Sequence, residues 1–315
     1  MNNKTKILEE KLRNYLCAYW LRPESAIIRV CDWLAIKDFE FKAPMLDLAC
    51  GDGINSFILM GGTLPLEIDD SFSVKKVTPK EYFSGVDIYN ASDNKAKVAD
   101  VMINPPPKMF DVGLDWKRDL IEKAKLMKTH KKFVIHNMNN PLPFPDESFT
   151  TVFSNSIYWV KNANLLLKEI NRVLKHKGKL IAILATSNFM KFKIYNEFLK
   201  TGNNLFKYLD RGRFSQHPQA LKENEWKKLF DETNFKINKL TPIISKRLAQ
   251  ISEIGLRPIA PPLIKMANSL SPEKRKEIKK EWIDYITYLT LPIFDGWIND
   301  PKQEQCYLAV ELIKS

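Results

Sequence analysis

The chain has 315 residues, 44% of them hydrophobic, enough for one large domain or a core domain with a smaller companion. No run of 18 apolar residues occurs, which excludes an ordinary membrane-spanning helix. The polar start from Met1 to Glu10 lacks an apolar signal core, so the expected address is the cytoplasm. Lysine and arginine exceed the acids by 12, which suits either an anionic partner or a set of solvated lysine-rich faces; their even spread favours the faces.

Residues 5–38 read as two helices, because Leu8, Leu12, Tyr15, Leu16 and Tyr19 fall at helical spacing and a second apolar set includes Ile27, Val30, Cys31 and Trp33. Pro23 is placed to open the second helix. Residues 1–43 are thus expected to form a helical cap. Met45 to Ala49 is a short apolar strand that runs into Cys50-Gly51-Asp52-Gly53. Residues 58–110 show no sustained period and read as an insertion.

A strand and turn follow at Phe110 to Trp116, then a helix at Arg118 to Met127 and a strand at Phe133 to Ile135. Thr151 to Ser154 is a further strand, Ala163 to Leu174 a helix, and Lys179 to Ala185 another strand. This alternation predicts a doubly wound, mostly parallel α/β sheet, Rossmann-like, over residues 44–186. Residues 187–315 read as a helical, basic substrate or lid region. They hold a helix at Glu225 to Asp231, a strand within Phe235 to Ile244, a charged helix at Pro272 to Tyr288 and a closing strand at Tyr307 to Ile313. Lys274, Arg275, Lys276, Lys279 and Lys280 alternate with Glu273, Glu277 and Glu281 and read as a solvated face. Cys17, Cys31, Cys50 and Cys306 form no CxxC pair, and the four histidines form no HExxH pattern, so reduced thiols and no metal site are expected.

The segment Asp47-Leu48-Ala49-Cys50-Gly51-Asp52-Gly53-Ile54-Asn55 carries the sharpest signal. Glycines at the end of a first strand let the backbone turn and approach a ligand closely, and a following helix N-terminus favours negative charge. This segment resembles the first motif of class I S-adenosylmethionine (SAM)-dependent methyltransferases. Two further blocks, Leu142-Pro143-Phe144-Pro145-Asp146-Glu147-Ser148-Phe149 and Glu169-Ile170-Asn171-Arg172-Val173-Leu174-Lys175-His176-Lys177-Gly178, are similar to that family's segments before its fourth and fifth strands.

The resemblance implies SAM as cofactor and S-adenosylhomocysteine (SAH) as product, with Asp47, Ala49, Cys50, Gly51 and Gly53 around the methionine end. An acid ending the second strand would accept hydrogen bonds from the ribose hydroxyls. Asp87 lies 34 residues after Gly53 and Asp115 62 residues after it. A helix and a strand follow Asp115 in order, so Asp115 is expected, with Trp116 beside the adenine. Where the family often has an acid after its third strand, this chain has Asn137, Met138 and Asn139 to flank the base. Asn104-Pro105-Pro106-Pro107 is similar to the Asn-Pro-Pro-aromatic motif of enzymes that methylate base amines. It precedes the second strand and lacks the aromatic, so it reads as a loop.

The end of the fourth strand faces the transferred methyl in related folds, which nominates Asn155, Tyr158 and Trp159. His217 is the candidate general base. Arg211, Arg213 and Arg257 could grip an anionic substrate, and Tyr19-Trp20-Leu21-Arg22-Pro23-Glu24, with Tyr19 and Arg22 as candidate contacts, could close over the cofactor or substrate. The expected activity is methylation of a hydroxyl on a small polar metabolite, a sugar or sugar-phosphate of a surface glycan being one candidate. The second reading is a tRNA or rRNA methyltransferase. The third is a SAM-binding partner protein without catalysis.

Overall fold

The computed structural model describes residues 3–68, 103–210, 217–297 and 304–315. The chain opens with α1 (Asn3–Tyr19) and α2 (Pro23–Ile36). α1 buries Leu8, Leu12, Tyr15, Leu16 and Tyr19, a single helical stripe. Pro23 begins α2, where a helix has no use for the missing N–H. Between the helices the chain turns tightly, with Arg22 N–H donating to the Tyr19 carbonyl at 2.8 Å.

The sheet is built from β1 (Met45–Leu48), β2 (Phe110–Asp115), β3 (His130–Ile135), β4 (Phe149–Ser154), β5 (Leu174–Ala185), β6 (Phe235–Ser245) and β7 (Gln305–Lys314). Their order across the sheet is β3-β2-β1-β4-β5-β7-β6. Strands β1 to β5 are parallel, while β7 runs antiparallel to both its neighbours, β5 and β6. β1 is fully buried between β2 and β4, and its short apolar sequence suits that place. The chain leaves β1 toward β2 on one side and reaches β4 on the other. This is the topological switch point, and it opens a crevice at the carboxyl ends of the strands.

Flanking helices are α3 (Ile54–Leu59), α4 (Arg118–Leu126), α5 (Ala163–Val173), α6 (Ser187–Lys191), α7 (Ile194–Thr201), α8 (Asn204–Asp210) and α9 (Glu223–Glu232). After β6 come α10 (Lys246–Gln250), a π-helical turn at Ile251–Leu256, a 3-10 turn at Arg257–Ile259, α11 (Ala260–Ala267) and α12 (Pro272–Trp297). α5 is a strongly amphipathic helix capped by the Asn162 side chain, which accepts from Leu165 N–H at 3.1 Å. No described helix is long and apolar enough to cross a membrane.

Two expectations change. α12 does not stop at Tyr288 but continues through Pro292 to Trp297. Nor is its basic run wholly solvated. Lys274 and Lys276 pair with Glu277 and Glu67 in the open, but Arg275 and Lys279 are buried. Arg275 lies over the Trp20 ring at 5.1 Å, and Lys279 Nζ donates to the Leu66 carbonyl at 2.6 Å and to the Ile68 carbonyl. Position along the helix explains it: 275 and 279 are one turn apart on the face that meets the N-terminal part of the chain.

Candidate active site

The turn after β1 holds three left-handed residues within five: Ala49 (φ 64°), Gly51 (φ 58°) and Gly53 (φ 78°). At Gly53 a Cβ would sit 3.2 Å from both Cα and Cβ of Ala124 on α4, so the position needs glycine for space as well as for φ. The turn is held by Cys50 N–H donating to the Leu114 carbonyl at 3.0 Å and Gly53 N–H to the Cys50 carbonyl at 3.1 Å. Asp52 Oδ1 accepts from Ile54 N–H at 3.1 Å at the start of α3.

Asp115 ends β2 beside this turn. Its Oδ2 accepts from Gly51 N–H at 3.0 Å and its Oδ1 from Lys117 N–H at 2.9 Å. Each oxygen keeps capacity for another donor, as two ribose hydroxyls would require. Burial raises the Asp115 carboxyl above the usual aspartate range, against the pull of the backbone donors at Lys117 and Gly51. The buried Cys50 thiol is pushed well up by burial and by Asp47, Asp115 and Asp52, so it stays protonated.

The cleft at this turn has a volume of about 380 Å³, within the range of small-molecule sites. Of the residues expected to hold the cofactor, Ala49, Cys50, Gly51, Asp115, Trp116 and Met138 line it. So does Asn155, with Tyr158 and Trp159 from the short turn after β4. Trp116 and Trp159 are large aromatics left 60% and 44% exposed at this opening, a costly placement without a ligand to cover them. Tyr19 and Arg22 complete the residues foreseen on the wall; the Arg22 guanidinium lies 4.9 Å over the Tyr19 ring.

Other expected residues lie elsewhere. Asp47 is buried below the turn, where it accepts from Ser56 Oγ and stands 2.8 Å from His130 Nε2. It braces β1 against α3 and β3 and does not line the cleft. Gly53 packs against α4. Asn137 and Asn139 bond to each other, and Asn139 Oδ1 accepts from Lys161 N–H at 2.8 Å; neither lines the cleft.

His217 is 3% exposed and lies behind the wall, its Nδ1 2.9 Å from Lys193 Nζ. Its ring stacks on Tyr158 at 5.2 Å and tilts against Trp159 at 5.1 Å, so it stands behind these two cleft residues and does not itself line the cleft. Arg257 is also buried outside the lining, 3.4 Å from Glu253 and donating to the Asp210 carbonyl at 3.2 Å. Arg211, Arg213 and the alternative Asp87 lie outside the described residues.

One wall was foreseen only at its start, Glu24. α2 presents Glu24, Ser25, Ile28, Arg29 and Asp32 to the cleft, joined by Glu253 from the π-helical turn and Tyr307 from β7. Positions 24, 25, 28, 29 and 32 recur at i, i+1, i+4, i+5 and i+8, one helix face. That spacing was readable, but its polar content looks like a solvated face. In the fold Glu24 and Asp32 are buried, and burial raises both carboxyls despite Arg22 beside the first and Arg29 beside the second. Arg29 Nη1 donates to Asp32 Oδ2 at 2.6 Å.

Residues 109–182 match the family described as a methyltransferase domain. A curated relative, an uncharacterized protein of Methanocaldococcus jannaschii, is 24% identical over 152 residues, which is 48% of this chain and 68% of that protein. Among solved structures, a SAM-dependent methyltransferase of Thermotoga maritima is 14% identical with a TM-score of 0.48, covering 93% of this chain and 91% of that one. An S-adenosylmethionine-dependent methyltransferase of Mesorhizobium loti is 10% identical with a TM-score of 0.44, covering 90% and 97%. The segment that matches the methyltransferase domain family runs from β2 into β5, inside a Rossmann-like sheet that carries an antiparallel β7.

Proposed function

We propose that the protein binds SAM in the cleft and transfers its methyl group to an N–H or O–H nucleophile of a small polar molecule. The observation that carries this reading is the meeting of two different walls in one enclosed space. The glycine turn and Asp115 supply donors and acceptors for a nucleoside and amino-acid cofactor. The α2 wall with Tyr158, Trp159 and Tyr307 offers polar and aromatic groups that such a cofactor does not need. The bound cofactor would supply an already activated methyl on sulfonium. Asp115 would hold the ribose and the flanking Trp116 and Met138 the adenine. The aromatic wall would exclude water and orient the acceptor.

A hydroxyl acceptor, as on a sugar, fits this space as a member of the class. RNA fits it less well. The cleft has five carboxylates (Glu24, Asp32, Asp52, Asp115, Glu253) against three cations (Arg22, Arg29, Lys117), so the basic excess of the chain is not concentrated here. The same acid excess disfavours an anionic substrate.

Calorimetric titration tests the reading. One-site binding of both SAM and SAH is expected, with Asp115→Ala weakening SAH at least about 30-fold, the scale of losing two hydrogen bonds to a charged group. A folded protein that binds neither ligand would sink the enzyme reading and leave the partner-protein alternative without its cofactor.

A further inference from the structure

Arg29, Glu253 and Arg257 around the α2 wall are accounted for within the protein, and Asp32 is through one of its two oxygens. Asp32 Oδ2 accepts from Arg29 at 2.6 Å, and Glu253 is paired with Arg257, itself anchored on the Asp210 carbonyl. Glu24 is different. It lines the cleft and is only 8% exposed, and its Oε2 is buried with no hydrogen-bond partner. Two turns along the same face, Asp32 Oδ1 is buried and unpartnered as well. Unsatisfied carboxylate oxygens inside a protein are costly and call for a donor.

The surroundings indicate what kind of donor. Tyr158, Trp159 and Tyr307 stand together on the cleft, with ring centroids 6.2 Å apart for the first two and 6.0 Å for Tyr158 and Tyr307. Trp159, 44% exposed, offers an open aromatic ring to the same cleft as the buried carboxylates, a combination that favours a cation. Arg22 and Arg257 offset part of the Glu24 charge but leave Oε2 without a donor, and a neutral hydroxyl could fill that lone pair without adding any positive charge to the acid-rich cleft. A protonated amine satisfies both the lone pair and the charge. We propose that Glu24, supported by Asp32, recognises a small primary or secondary amine as the methyl acceptor. This inference rests on the methyltransferase reading above and names its substrate class.

The amine arrives as a cation and donates an N–H to Glu24 Oε2. The proton then passes to the carboxylate oxygen, giving a neutral carboxyl, and the N–H bonding pair remains on nitrogen as the lone pair that methylation needs. Burial raises the Glu24 carboxyl and so suits it to hold that proton.

The test uses the full chain saturated with SAH and matched probes: tyramine against tyrosol, and putrescine against butane-1,4-diol. Binding is followed by calorimetry and thermal shift. The expected result is that at least one amine binds ten-fold or more tightly than its alcohol. Glu24→Gln, which keeps the shape, should lose that preference while SAH affinity stays within two-fold. Glu24→Asp, which keeps the charge, should retain part of it. The inference is overturned if the alcohols bind as well as the amines, if no amine binds the SAH-loaded protein, or if Glu24→Gln leaves amine binding unchanged. It is also overturned if that variant weakens SAM but not SAH, because the carboxylate would then serve the sulfonium. Failure to bind SAH at all would instead bring down the methyltransferase reading beneath it.

Discussion

Ala49 occupies a left-handed conformation (φ 64°) that costs an L-residue about 1–2 kcal/mol, in a turn where both other left-handed residues are glycine. Ala49→Gly should relieve that strain, less about 0.4–1 kcal/mol for the added freedom of the unfolded chain. The expected net gain is about 0.5–1 kcal/mol, read in denaturant melts; a loss would show that the methyl packs usefully against the cleft. The buried acids give a second prediction. Desolvation raises Glu24, Asp32 and Asp115 above the values they have in the unfolded chain. The folded state therefore holds protons that the unfolded state has released. The resulting stabilisation is fully present below the unfolded values, near 4, and is lost as pH rises through the raised folded values. Cofactor-free protein should melt at a higher temperature at pH 5 than at pH 7, and Glu24→Gln should reduce the difference. Further acidification should reverse the trend, because Arg172 holds the Glu169 carboxyl below its usual range and that stabilisation is lost on protonation. A midpoint that falls steadily from pH 7 to pH 5 would contradict the assignment of these three groups.

At the level of elements, the apolar patterns were legible and the buried polar ones were not. β1, its glycine turn, and β2 ending in Asp115 follow from short apolar runs punctuated by glycine and an acid, signals that depend on local sequence. Asp115 could be preferred to Asp87 because a helix and strand follow it on schedule. Beyond Glu24 the α2 wall was missed, because an acid on an amphipathic helix has the same spacing whether water or another part of the chain covers it. Only the arrival of Glu253 and Tyr307, more than 200 residues later, turns that face inward. The same blindness hid Arg275 and Lys279 on α12. Lys279 holds two carbonyls at the end of the Leu64–Ile68 segment, so Lys279→Met should leave them short of a donor. Destabilisation of about 1–3 kcal/mol is expected from chemical denaturation. An unchanged midpoint would mean that water replaces the ammonium.

For the whole molecule, the charge of +12 and the acid-rich cleft belong to different parts of the surface. RNA should therefore bind weakly, with affinity falling steeply as salt rises, and it should not compete with SAH. Mutual exclusion between RNA and SAH would instead bring nucleic acid into the cleft and restore the RNA reading. The sheet order has a further consequence, for the order in which the protein can assemble. Among the described strands, β6 joins the sheet only through β7, which lies between it and β5. During synthesis β6 emerges some 60 residues before β7, its neighbour among the described strands, and pairs with it once the strand at 305–314 has been made. Tyr307 on that strand also finishes the wall opposite residues that were made first, Tyr19 to Asp32. A nascent chain stalled before residue 305 would hold the glycine turn and Asp115 yet lack Tyr307, the last residue of the wall proposed to receive the acceptor. Competence to bind the cofactor would thus precede competence to bind what is methylated, within the lifetime of a single translating chain.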